Sequence, residues 1–182
     1  MQKLGAQQLR EYIPTEEDVK KIKKNRQEIY IILDNVLDTY NVGAVFRLAD
    51  AVGVKKVFLC AGTETPPNSR IKKASVSTWQ WIDWEYLPTA LDAVVKLREQ
   101  NEKIKIVSVE LDDNAIPYDE YDYSLPIALV VGHESDGVSR EVLDASDVIV
   151  QLPQLGINKS LNVMVSLGIA LYQVLEKNKI NK

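Results

Sequence analysis

The 182 residues carry 22 Lys and Arg against 26 Asp and Glu, a formal net charge of −4, with 46% hydrophobic and 26% charged positions. This is the composition of an ordinary soluble globular chain, long enough for one domain to bury a substantial apolar core. No run of about 18 apolar residues occurs, which excludes a helical membrane span, and residues 1–14 lack the apolar stretch of a signal peptide.

In chain order, the first periodic segment predicts a helix over residues 16–26. Within it Lys20, Lys21, Lys23, Lys24 and Arg26 follow one another without an acid. A polyanion responds to the local field and not to the chain total, so this run reads either as a nucleic-acid contact or as a solvated helix face. An apolar strand over 29–33 comes next, then a helix over 43–51 and a strand over 56–61. The segment 66–78 holds Arg70, Lys72 and Lys73, again without an acid, and reads as a basic loop. A weaker strand at 81–87 contains Trp81 and Trp84. With Trp79 these rings either stack on bases or pack a strand or subunit surface, and packing is the better reading.

Pro88 precedes a helix over 89–100 whose apolar face is Leu91, Val94, Val95 and Leu97. Strands over 104–110, 127–131 and 148–152 alternate with a helix over 140–145, and a long helix closes the chain over 160–177. The strands are mostly continuously apolar, as in sheets covered on both faces. The alternation predicts an α/β fold, a mainly parallel sheet flanked by helices, in a single domain.

Ligands of open α/β sheets sit beyond the carboxyl ends of the strands. Two turns fall there: Gly132 to Gly137 after the strand at 127–131, and Pro153 to Asn158 after the strand at 148–152. Neither is a dinucleotide fingerprint or a phosphate loop, which argues against a reductase or hydrolase of the doubly wound type. One histidine and one cysteine fall short of a zinc site, so no metal is expected. Cys60 reads as a buried, inert thiol, and a cytoplasmic location follows from the absence of a disulfide framework and of a leader.

Three motifs recur in one order. Asn41, Gly43, Ala44 and Arg47 open a helix. Gly132, Glu134 and Gly137 form the first turn. Leu152, Pro153 and Gly156 lead to Ser160, Leu161, Asn162 and Val163. Together they resemble the SpoU class of RNA methyltransferases, within the SPOUT superfamily, over about residues 28 to 176. Asp50 to Val54 and Asp113 to Ile116 bring the chain nearer the TrmH type, which methylates a guanosine ribose in the tRNA D-loop. The third motif departs at Met164 and Ser166, where relatives usually carry serine and alanine.

The resemblance implies transfer of a methyl group from S-adenosylmethionine (AdoMet) to a ribose 2′-hydroxyl of tRNA or rRNA. It implies a C-terminal deep trefoil knot at about 128–177, within a catalytic core at 28–177 that a basic helical extension (1–27) precedes. It also implies a homodimer packed through the closing helix, with each active site completed by the other subunit. The matching cofactor positions are Val109, Gly132, Leu152, Ser160 and Leu161, which offer backbone hydrogen bonds and apolar walls; the alternative for the leucines is core packing.

Arg47 matches the catalytic arginine. A free guanidinium gives up a proton only with difficulty, so the expected role is to hold the phosphate beside the target ribose and stabilise developing alkoxide charge. Asn41 and Glu134 are expected to orient Arg47 or the active-site loops, and Asn162 to fix the knot backbone. Helix capping is the structural alternative for all three. His133 reads as a bystander. Lys20, Lys21, Lys23, Lys24, Arg26, Arg70, Lys72 and Lys73 are the candidate RNA contacts. The competing function is a non-catalytic RNA-binding relative of the same fold, against which the joint presence of Asn41, Arg47, Glu134 and Asn162 speaks.

Overall fold

The computed structural model describes residues 14–157 and 160–180; the expectations for residues 1–13 and for Asn158 lie outside them. Helix α1 spans Glu16–Lys24, started by a reciprocal capping box between Thr15 and Asp18. Strand β1 (Gln27–Asp34), helix α2 (Thr39–Val52), strand β2 (Val54–Cys60) and helix α3 (Ser69–Ser75) follow. After them come β3 (Trp84–Leu87), α4 (Ala90–Gln100), β4 (Lys105–Val109) and the two-residue β5 (Ile116–Pro117). The chain then builds β6 (Ile127–Val131), α5 (Arg140–Ala145), β7 (Val148–Gln151) and α6 (Val163–Lys177).

The seven strands form one sheet in the order β3-β2-β1-β6-β4-β7-β5, and every pairing in it is parallel. Every residue of β6, near the middle of the sheet, is buried, because helices cover both faces. On one face α2 and α6 bury Val42, Val45, Phe46, Leu167, Leu171 and Val174 with Ile31 and Leu129. On the other, α4 and α5 bury Ala93, Val94, Leu97 and Val142 with Ile32, Ile106 and Val130.

The segment read as a basic loop is in part helical. Asn68 caps α3 by accepting the N–H groups of Arg70 and Ile71, and α3 packs against α2 at Gly43. A Cβ there would meet Ala74 Cβ at 2.5 Å and Ile71 O at 2.9 Å, so only glycine permits the two helices to approach this closely. With Ile71 and Ser75 its only buried residues, α3 shows little apolar periodicity from which to read it.

Candidate cofactor and RNA site

The sheet order places three strand ends side by side. Val131 of β6, Val109 of β4 and Leu152 just past β7 border one cavity of about 470 Å³, which the approach to α6 closes with Ser160, Leu161, Asn162 and Ser166. All five positions proposed for the cofactor, Val109, Gly132, Leu152, Ser160 and Leu161, line it. Val109 and Leu152 are buried, while Leu161 is 43% exposed at the rim. Gly132 makes the turn possible: a Cβ there would lie 2.1 Å from the carbonyl carbon and oxygen of Gly137. Gly137 itself has φ +72°, a left-handed conformation in which glycine carries no steric cost. Volume, apolar walls and a few converging polar groups suit a small cofactor of the size of AdoMet.

Glu134, Asn41 and Asn162 form one hydrogen-bonded chain. Glu134 Oε1 accepts the Asp38 N–H (3.0 Å) and Asn41 Nδ2 (3.0 Å), and its Oε2 accepts the Leu37 N–H (3.2 Å). Burial pushes the Glu134 carboxyl up, but the bonds from Asn41 and the backbone N–H groups outweigh it and hold the group below its ordinary value. Asn162 Nδ2 donates to Asn41 Oδ1 at 3.0 Å, while Asn162 Oδ1 accepts the Met164 N–H and so caps α6. The loop after β6, the start of α2 and the start of α6 are thus joined by side chains of all three motifs. Capping and site organisation are one arrangement for Asn162. Helix α2 is capped instead by Asp38, which accepts the Tyr40 N–H.

Arg47 lies outside this chain. It is exposed on the outer face of α2, does not line the cavity, and makes no hydrogen bond or ion pair with the described residues. Asn41 and Glu134 therefore organise the loops and do not contact Arg47. His133 is partly exposed, and its Nδ1 accepts the N–H groups of Ser135 (3.2 Å) and Asp136 (3.1 Å) and so shapes the turn. Two acids that sequence reasoning passed over are anchors. Asp34, buried at the end of β1, accepts the Ser139 N–H at 2.8 Å. Glu110, after β4, accepts the Leu111 and Val138 N–H groups. Their position at strand ends was the available signal.

The basic candidates divide. Lys20, Lys21 and Lys24 are exposed on α1, and Arg70, Lys72 and Lys73 on α3. Lys23 pairs with Asp83 at 2.6 Å. Arg26 is a correction. Its side chain is 3% exposed and lies 3.7 Å from Asp50, and its guanidinium donates to Val54 O (2.6 Å) and Trp81 O (3.2 Å). It holds the start of β1 to β2 and has no face left for a phosphate. Trp81 is buried and donates Nε1 to Asp50, while Trp79 and Trp84 pack against the core.

A match to the model of the SpoU rRNA Methylase family covers residues 28–172. The chain belongs to the SpoU family. This SpoU chain is 32% identical over 170 residues to a tRNA (guanosine(18)-2′-O)-methyltransferase of Aquifex aeolicus, covering 90% of this chain and 78% of that one. It is 30% identical to the Escherichia coli K12 enzyme of the same name, covering 84% of this chain and 65% of that longer one. Among solved structures, the A. aeolicus TrmH/SpoU tRNA modifying enzyme superposes with a TM-score of 0.78 at 27% identity, covering 91% and 84% of the two chains. An AdoMet-bound rRNA methyltransferase from Sinorhizobium meliloti superposes with a TM-score of 0.75 at 25% identity, covering 92% of this chain and 59% of that one.

Proposed function

We propose that the chain is an AdoMet-dependent RNA ribose 2′-O-methyltransferase that works as a homodimer on tRNA, in the manner of its TrmH-type relatives, or on rRNA. The observation that carries this reading is the Glu134–Asn41–Asn162 chain. It locks the turns around a cofactor-sized cavity to α2, the helix that bears the exposed Arg47. Val109, Gly132, Leu152, Ser160 and Leu161 hold AdoMet, which supplies an electrophilic methyl group when bound. Arg47 grips the phosphate beside the target ribose with its planar fork and stabilises the negative charge that develops on the 2′-oxygen. Exposed Lys20, Lys21 and Lys24 and the α3 cations Arg70, Lys72 and Lys73 neutralise flanking phosphates.

In this reading the chain is one catalytic unit, with residues 1–27 a basic extension and the knot at about 128–177. The dimer rests on the outer stripe of α6. Val165, Ile169 and Tyr172 recur at helical spacing and are 41%, 37% and 56% exposed, next to a groove of about 1600 Å³ between α1 and α6. Covering that stripe with a second copy supplies the partner that an apolar surface of this kind calls for. Arg47, which does not line its own chain's cavity, then serves the partner's cofactor. A cytoplasmic location accords with this work, and no described helix is long and apolar enough to cross a membrane.

Incubation with methyl-labelled AdoMet and, separately, total tRNA and rRNA tests the reading. Label recovered as 2′-O-methylnucleoside on mass mapping is the expected outcome. Label in methylated bases alone overturns the assigned chemistry, and a chain that binds RNA but not AdoMet is a binding relative instead.

A further inference from the structure

Glu110 closes the cavity from the β4 side between Val109 and Leu111, all three of which line it. Its carboxylate is built in. Oε1 accepts the Leu111 N–H at 2.8 Å and Oε2 the Val138 N–H at 2.9 Å. A Cβ on Gly137 would come within 2.3 Å of Oε2, so the absence of a side chain at Gly137 makes room for this carboxylate. With one N–H on each oxygen, the carboxylate is held in one orientation and retains acceptor capacity.

The charge balance around it is one-sided. Among the described residues, the cavity lining holds Glu110, Glu134 and His133 but no Lys or Arg. Glu134 is spent on Asn41 and two backbone N–H groups, and His133 Nδ1 on its own turn. Arg140, which opens α5, is paired with Asp112 and Asp144. Among the described residues no cation lies within ion-pairing distance of Glu110. A preorganised carboxylate that lines a cavity and has no counter-charge among the described residues is a receptor for a cation.

We propose that Glu110 is a cofactor-contacting residue that reads the positive charge at sulfur, favouring AdoMet over the neutral thioether left after transfer. This rests on the proposed cofactor site and assigns the residue that distinguishes charged cofactor from spent product. The adenine, the ribose and the amino-acid end with its ammonium are common to both, so only a contact at sulfur separates the two ligands.

Calorimetry of the full chain with three probes tests it: AdoMet, S-adenosylhomocysteine, and sinefungin, which carries an amine in place of the methylsulfonium. Glu110→Gln is expected to weaken AdoMet and sinefungin by at least about tenfold while S-adenosylhomocysteine changes by less than about threefold. Glu110→Asp, which keeps the charge, is expected to retain the preference. Equal losses for all three ligands, or no loss for any, overturn the proposal, as does Glu110→Asp behaving like Glu110→Gln. Should Glu110→Gln not fold, Glu110→Thr provides a shorter neutral side chain that still accepts one N–H, and the ratio of affinities within one protein is insensitive to general destabilisation. A wild-type chain that binds none of the three probes defeats the cofactor site itself, whereas normal binding with unchanged selectivity defeats only the role of Glu110.

Discussion

Asn162 Nδ2 donates to Asn41 Oδ1 across 3.0 Å, joining residues 121 positions apart in the chain. Both amide orientations are fixed by their other partners. The Met164 N–H requires the oxygen of Asn162, and the Glu134 carboxylate requires the nitrogen of Asn41. Neither amide can turn over without setting like against like, so the three side chains act as one unit.

Substitutions at Asn162 separate its cap from this linkage. Asn162→Ala loses both, costing about 1 kcal/mol for the cap and about as much again for the interrupted bond. Asn162→Asp keeps an oxygen for the Met164 N–H but presents a carboxylate to Asn41 Oδ1. Thermal unfolding is expected to place the aspartate variant between wild type and alanine, while methyl transfer falls in both. An aspartate variant with full activity would show that the cap alone matters.

Arg47 is exposed and makes no hydrogen bond or ion pair with the described residues, so its loss leaves the fold alone. Arg47→Ala and Arg47→Lys are expected to keep the wild-type Tm and AdoMet affinity, yet to lower kcat by about two orders of magnitude or more, the usual scale for losing a group that stabilises transition-state charge. Lysine keeps the charge but not the fork. Single-turnover kinetics with calorimetry on the same samples decides the matter, and weakened AdoMet binding would place Arg47 in cofactor capture instead.

The Glu134 carboxyl is held below its ordinary value of 4.5 because the hydrogen bonds from Asn41, Asp38 and Leu37 outweigh the opposing effect of burial. Folding therefore favours the charged form. The resulting stability is complete above the unfolded-state pKa and is lost as pH falls through the lower folded value. Urea unfolding of wild type and Glu134→Gln across the acid range is expected to give a difference that is constant near neutrality and shrinks below pH 4.5. The effect is shallow, since Glu134 is solvent-exposed and screened. A difference that grows on acidification contradicts the sign.

How far the sequence could be read follows physical lines. Strand β6 and helix α5 were expected with their observed ends, because a fully buried strand is continuously apolar and α5 lies between clear breakers. Helix α2 begins four residues before its expected start, since Asp38 caps it and its first turn carries Asn41, which serves the Glu134 chain. The cavity lining was legible only through the motif resemblance: Val109 and Leu152 look like any core residue until the strand order brings them together. Glu110 and Asp34 escaped notice because a lone acid at a strand end has no periodicity, and its partners are backbone N–H groups that every sequence possesses.

The same limit explains Arg26, whose charge reads like that of its neighbours in a run but whose environment does not. Desolvation by burial lowers its pKa against the opposing pull of Asp50 and Asp83, and Nη1 and Nη2 donate to the Val54 and Trp81 carbonyls, while Nε is buried without a partner among the described residues. Removing Arg26 leaves those carbonyls and Asp50 short of a donor in a partly buried place, at a cost of about 1–3 kcal/mol. Removing Lys20, Lys21 or Lys24 takes away only a solvated charge. In RNA-binding titrations against salt, each of these lysine-to-alanine variants is expected to weaken binding and to reduce the slope of log affinity against log salt by up to about one, with Tm unchanged. Arg26→Ala is expected to lower Tm while the folded protein keeps the wild-type slope. A reduced slope for Arg26→Ala, with the lysine variants unaltered, would mean that the guanidinium leaves its carbonyls to meet RNA and that α1 is only a solvated face.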